Sequence, residues 1–159
     1  MSSETSRQWI YAQEPDGKPT QETFAMVEET VSKPGSDEVL VRTLYISVDP
    51  YMRGRMDRAG VDGADEWEVS ETVRSRGVGE VVKSNHEAFK PGDIVFGYLG
   101  WVERGVFSGE DLERIDPDLA PISTALSVLG ASGRTAYHGL LDVAEPQPGD
   151  RVVVSGAAG

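Results

Sequence analysis

A short device recurs in this chain ahead of Val-rich runs: Lys33-Pro34-Gly35 before Glu38-Val-Leu-Val-Arg42, Lys90-Pro91-Gly92-Asp93 before Ile94-Val-Phe96, and Gln147-Pro148-Gly149-Asp150 before Arg151-Val-Val-Val154. Pro sets φ and Gly supplies the positive φ of a type II turn, so each copy reads as a tight turn that launches a strand. From Trp9 to about Phe107 the rest of the chain agrees, with short apolar runs separated by Gly, Pro and Asp. The pattern predicts antiparallel strands at Trp9–Gln13, Thr23–Glu28, Glu38–Ser47, Gly79–Ser84, Asp93–Phe96 and Trp101–Phe107, wound into a sandwich or barrel. The stretch Asp57 to Glu71 is acidic, Gly-containing and aperiodic, and reads as a long exposed loop or lid.

After Asp116 the texture changes. Ala120 to Leu129 and Arg134 to Val143 carry apolar residues at helical spacing, broken by Gly130 and Gly133, and predict two short helices. The Val152-Val-Val154 run suits a strand buried on both faces of a parallel sheet rather than an edge of the preceding barrel. It leads into Gly156-Ala-Ala-Gly159, and a buried parallel strand ending in a Gly/Ala-rich turn is how a dinucleotide-binding unit opens, because small residues let backbone N–H groups approach a pyrophosphate. Alone this is weak, since such turns after strands are common. The fold class is therefore mainly β with short helices, a β domain followed by the start of an α/β domain, with the boundary near residues 120–150.

A net charge of -12, from 27 acids against 15 bases, sets up a field that repels phosphate, which argues against nucleic acid or an anionic membrane as partner. Arg outnumbers Lys 11 to 4. With so many carboxylates, that balance fits a halophilic source as well as an ordinary acidic cytosolic protein. Zero Cys excludes disulfides, thiolate metal sites and a cysteine nucleophile. His86 and His138 lie far apart with no ligand at metal spacing, so no metal is expected. The N-terminus has no apolar stretch behind a basic one, and no run approaches the ~20 apolar residues of a membrane helix. A cytoplasmic protein is the expectation.

Tyr51 sits on the Pro-stiffened turn Asp49-Pro50-Tyr51, where its phenol can point into a cleft and hydrogen-bond a carbonyl, or pack beneath the loop with its hydroxyl on backbone. Arg53 and Arg55 can hold an anion, but at this net charge pairing with nearby acids is the simpler reading. Thr135, one residue into the second expected helix, can cap it or face a ligand. Tyr98 and Trp101 flank Gly100 at a strand start, where aromatics usually belong to a core.

Several segments together resemble the medium-chain dehydrogenase/reductase superfamily, in its prostaglandin reductase and leukotriene B4 12-hydroxydehydrogenase-like branch. They are Ser47-Val-Asp-Pro-Tyr-Met-Arg-Gly-Arg-Met56, Gly77-Val-Gly-Glu-Val-Val-Lys-Ser84, Phe89-Lys-Pro-Gly-Asp-Ile-Val-Phe-Gly97, Leu129-Gly-Ala-Ser-Gly-Arg-Thr-Ala-Tyr-His138 and Pro148-Gly-Asp-Arg-Val-Val-Val-Ser155, in the family's order. The resemblance implies a GroES-like partly open barrel followed by the first strand of a truncated Rossmann domain. It also implies a zinc-independent NADP-dependent oxidoreductase that reduces the activated double bond or carbonyl of a small lipophilic substrate. Tyr51 would be catalytic and bind substrate with Tyr98, Thr135 and Gly159 would bind the cofactor, and a homodimer through the Rossmann domain is the assembly it allows. Where the branch shows Met-Pro-Gly or Met-Thr-Gly, this chain has Ala131-Ser132-Gly133, so a Met contact to the nicotinamide is not carried over. The alternative is a non-catalytic GroES-like binding module.

Overall fold

The computed structural model describes residues 4–57 and 66–156. β1 (Thr5–Tyr11) pairs antiparallel with β2 (Phe24–Thr30), setting Trp9 opposite Met26 and Tyr11 opposite Phe24. A second antiparallel sheet has the order β6-β3-β4-β5-β7, from β3 (Glu38–Ile46), β4 (Gly77–Ser84), β5 (Ile94–Gly97), β6 (Arg104–Ser108) and β7 (Glu113–Ile115). Single bridges, Gln8 to Val102 and Ile10 to Thr72, stitch the two sheets into a partly open barrel. All six strands expected for the barrel are present with shifted ends: the first starts at Thr5 and the last at Arg104. β7 was not expected, because Glu-Arg-Ile is too short and too charged to show alternation.

Two apolar clusters hold the barrel. One joins Val39, Val41, Val81, Val95, Leu99 and Leu112; the other joins Tyr11, Met52, Met56, Trp67 and Val73. In β3 the consecutive residues Val39, Leu40 and Val41 are all buried, which an alternating half-exposed strand does not allow. β3 is flanked on both sides, by β4 and β6, and its register slips between Leu40 and Val41. Such an irregularity re-aims neighbouring side chains toward one interior.

Two of the three Pro-Gly devices form as expected. Gly92 and Gly149 adopt φ of 93° and 98°. In each turn the following Asp donates its N–H to the carbonyl of the residue before Pro, Asp93 to Lys90 at 3.1 Å and Asp150 to Gln147 at 3.0 Å. Its carboxylate accepts that residue's N–H in return, at 3.0 Å and 2.7 Å. The first copy differs: Ser36, not Asp, follows Gly35, so the closing carboxylate comes from Glu38, which accepts the Gly35 N–H at 2.7 Å. There the positive φ, 58°, falls on Asp37.

Three expectations are corrected. Within Asp57 to Glu71, residues 58–65 lie outside the described residues, but Trp67 is 5% exposed, its ring edge-on to Tyr11 at 5.8 Å. A lone aromatic carries no periodicity, so the pattern missed what its large apolar surface dictates. The expected helix at Ala120–Leu129 is a 3-10 turn, Ile122–Leu126, entered from Pro121 and broken at Ser127 (φ -139°, ψ -106°). The second helix, α2 (Ala131–His138), follows in chain order the single turn α1 (Tyr51–Gly54) and is continued by a π-helical stretch Gly139–Ala144. Finally, Val152, Val153 and Val154 are 57%, 90% and 70% exposed and have no ladder partner among the described residues. A strand needs neighbours, and among the described residues the barrel strands pair with one another.

Candidate active site

The site grows from the chain leaving β3. The Ser47 hydroxyl donates to the Asp49 carboxylate, and Pro50, at φ -56°, leads into the single turn α1 (Tyr51–Gly54). Met52 and Arg53 donate their N–H groups to the carbonyls of Asp49 and Pro50 at 3.0 and 3.1 Å. Met52, 3% exposed, anchors the turn, and the Tyr11 hydroxyl pins its exit by donating to the Met56 carbonyl at 2.7 Å. Adjacent helical residues point about 100° apart, so with Met52 inward Tyr51 is turned to the rim. Its ring packs on the second cluster. Its hydroxyl is shielded from water and has no hydrogen-bond partner among the described residues.

Tyr98 enters from the other side, immediately after β5, and is 59% exposed. Tyr51, Tyr98, Arg55 and Arg74 line a cavity of about 360 Å³. The Arg55 guanidinium lies 5.4 Å from the Tyr51 ring centroid, and that of Arg76 lies 5.8 Å from Tyr51 and 5.6 Å from Tyr98. Burial pushes the Tyr51 phenol above its ordinary value, Tyr98 and Asp49 push the same way, and Arg76 and Arg55 oppose them. At neutral pH Tyr51 is therefore a protonated donor, already stripped of water. The arrangement suits an uncharged carbonyl oxygen on which negative charge is to build.

The other sequence candidates fall elsewhere. Arg53 pairs with Asp57 at 2.6 Å and donates to the Gly17 carbonyl, as the charge argument favoured. Arg74 pairs with Glu71 at 2.7 Å. Trp101 stacks at 5.5 Å on Phe24 and lines a separate cavity of about 230 Å³ with Trp9, Met26 and Ile46. Thr135 is not a cap: α2 starts at Ala131, so Thr135 is its fifth residue, and its hydroxyl donates to the Ala131 carbonyl at 2.9 Å. It is exposed and does not line the Tyr51 cavity. Gly159 lies outside the described residues. His86 accepts the Ala88 N–H at 3.1 Å, and His138 contacts Asp142. No metal-binding cluster occurs among the described residues, and no described helix is long and apolar enough to cross a membrane. Sequence reasoning missed Arg76; its signal is its place one residue before the Gly77-Val-Gly strand that faces Gly97-Tyr98.

Residues 7–115 match the family described as the N-terminal domain of oxidoreductase. The chain is 41% identical to the NADPH-dependent curcumin reductase of Escherichia coli, with all of this chain and 46% of that protein covered. It is 36% identical to the NADP(+)-dependent 2-alkenal reductase of Nicotiana tabacum, over 79% of this chain and 37% of the relative. A crystal structure of CurA from Vibrio vulnificus in complex with NADPH superposes with a TM-score of 0.80 at 38% identity, covering 91% of this chain and 42% of that one. The chain thus spans less than half the length of each of these relatives. With β1 to β7 forming the open barrel and residues 7–115 matched, the chain belongs to the medium-chain dehydrogenase/reductase superfamily, alongside the curcumin, prostaglandin and 2-alkenal reductases, and carries their N-terminal GroES-like domain.

Proposed function

We propose that this domain serves an NADP-dependent oxidoreductase, zinc-independent, that transfers hydride to the activated double bond or carbonyl of a small lipophilic substrate. The division into a substrate domain over residues 1–120 and connecting helices with the start of an NADP-binding domain over residues 121–159 belongs to the same proposal. The observation that carries it is the Tyr51 hydroxyl, buried and unpartnered beside the cavity shared with Tyr98. The substrate oxygen takes the place of the missing acceptor, and Tyr51 donates to it as its charge grows. Because the hydroxyl is covered, entry of the substrate displaces a neighbouring group at the rim of the cavity. The side chains at α2 suit a nicotinamide: the Thr135 hydroxyl donates its O–H to the Ala131 carbonyl, and its oxygen keeps lone pairs that accept from a carboxamide N–H. NADPH, when bound, supplies the hydride; the protein's part is to orient the reactants and stabilise charge.

Steady-state kinetics of the intact protein with NADPH and a medium-chain enone test the proposal. Tyr51→Phe is expected to lower kcat about a hundredfold with a smaller change in KM, the cost of one donor in a desolvated site. Thr135→Val is expected to weaken NADPH binding with little change in substrate affinity. Wild-type turnover in Tyr51→Phe together with an unchanged NADPH constant in Thr135→Val would overturn both assignments. Zinc at one per chain would overturn the metal-free mechanism.

A further inference from the structure

The segment before β4 joins the two halves of the site. Gly77 faces Ile46 on β3 and Gly97 on β5, so extending both antiparallel registers by one residue sets Arg76 opposite Ser47 on one side and Tyr98 on the other. The Arg76 carbonyl accepts the Ser47 N–H at 2.8 Å, and the Ser75 carbonyl accepts the Gly100 N–H at 3.0 Å. The backbone at residues 75 and 76 thereby ties the start of the Tyr51 turn to the Tyr98 turn. The side chain repeats the connection: among the described cations, Arg76 alone sits within cation–π range of both rings, at 5.8 and 5.6 Å. Of the two rings, Arg55 lies over that of Tyr51, and Arg74 is held by Glu71.

We infer that Arg76 is a positioning residue for the Tyr51 site, its guanidinium bridging the Tyr51 and Tyr98 rings so that the two tyrosines keep a fixed separation across the substrate cavity. The inference rests on the proposed reduction only for its catalytic consequence; the bridge itself is a property of the fold. Beyond geometry, the cation acts on the phenol. The groups facing Tyr51 are Tyr98 and Asp49, which disfavour its ionisation, and Arg76 and Arg55, which favour it. Removing Arg76 therefore raises the pH at which Tyr51 ionises.

The bridge is read by 19F NMR of the full protein labelled with 3-fluorotyrosine, in which Tyr51→Phe and Tyr98→Phe assign the two resonances of interest. In Arg76→Gln both resonances are expected to shift while those of Tyr11, Tyr45 and Tyr137 stay, and Tyr51 is expected to titrate at higher pH. In Arg76→Lys, which keeps the charge without the plane, the titration is expected to recover more than the shifts. If neither resonance moves, or Tyr51 moves without Tyr98, the bridge is wrong. The kinetic arm expects kcat/KM to fall about tenfold in Arg76→Gln, the scale of a partly exposed cation–π contact, mainly through KM as the cavity loosens. Unchanged kinetics in an active enzyme would remove the positioning role. A wild-type protein that reduces no enone yet shows coupled resonances would overturn the reduction and leave the bridge standing.

Discussion

Tyr51 keeps its hydroxyl out of water with no partner among the described residues, and a buried donor left unpaired costs about 1–3 kcal/mol. Tyr51→Phe removes the hydroxyl and keeps the ring, so urea titration is expected to show equal or greater stability, by up to about 1–2 kcal/mol, in the same variant that loses turnover. A clear loss would mean the hydroxyl has a partner inside the fold. The pH dependence follows from the raised phenol. Above the ordinary value of about 10 the unfolded chain sheds this proton while the folded chain keeps it, so the native state binds more protons and stability falls with rising pH. Below that pH the contribution is fully present. Wild type is expected to lose stability faster than Tyr51→Phe above about pH 10 in melts followed by circular dichroism; parallel curves would contradict the shift. The Pro50 turn singled out Tyr51 but left it either facing a cleft or packed beneath the loop, and only the family resemblance chose between the two. Arg76 was not legible, because its meeting with Tyr98 depends on the register of β4 on β5, which no local pattern encodes.

Strands announced themselves where turn chemistry and apolar runs coincide, as at Asp93 leading into β5. Elements whose form depends on neighbours were less legible. Val152 to Val154 reads as a strand by composition, yet β structure exists only where a partner supplies hydrogen bonds. The 3-10 turn at Ile122–Leu126 shows the converse, helical spacing with too little chain between Pro121 and Ser127 to complete an α-helix. Trp67 belongs to this scale too, because it fastens its own segment to the end of α1: its backbone N–H donates to the Arg55 carbonyl at 2.9 Å and its ring fills the cluster with Met52 and Met56. Trp67→Ala is expected to cost about 3–5 kcal/mol in chemical denaturation. A cost below about 1 kcal/mol would restore the reading of this stretch as a free lid.

For the molecule as a whole, -12 charges on 159 residues create self-repulsion that counterions screen. The Debye length shrinks from about 10 Å at 0.1 M to about 3 Å at 1 M. We propose that the fold is salt-requiring, and expect the melting temperature to rise between 0.1 and about 2 M KCl; a flat or falling series would mark an ordinary acidic protein. The stitching of the two sheets also orders events in time. β1 leaves the ribosome first and finds β2 close behind it, but its other edge is secured by distant chain: Ser6 accepts the Arg104 N–H across 98 residues. At about 5–20 residues per second, that stretch takes roughly 5–20 s to synthesise. Through that interval a nascent hairpin carries an open edge, the kind of surface on which a second nascent copy can pair. Slowing translation between β2 and β6 is therefore expected to raise the misassembled fraction without altering any contact of the finished domain.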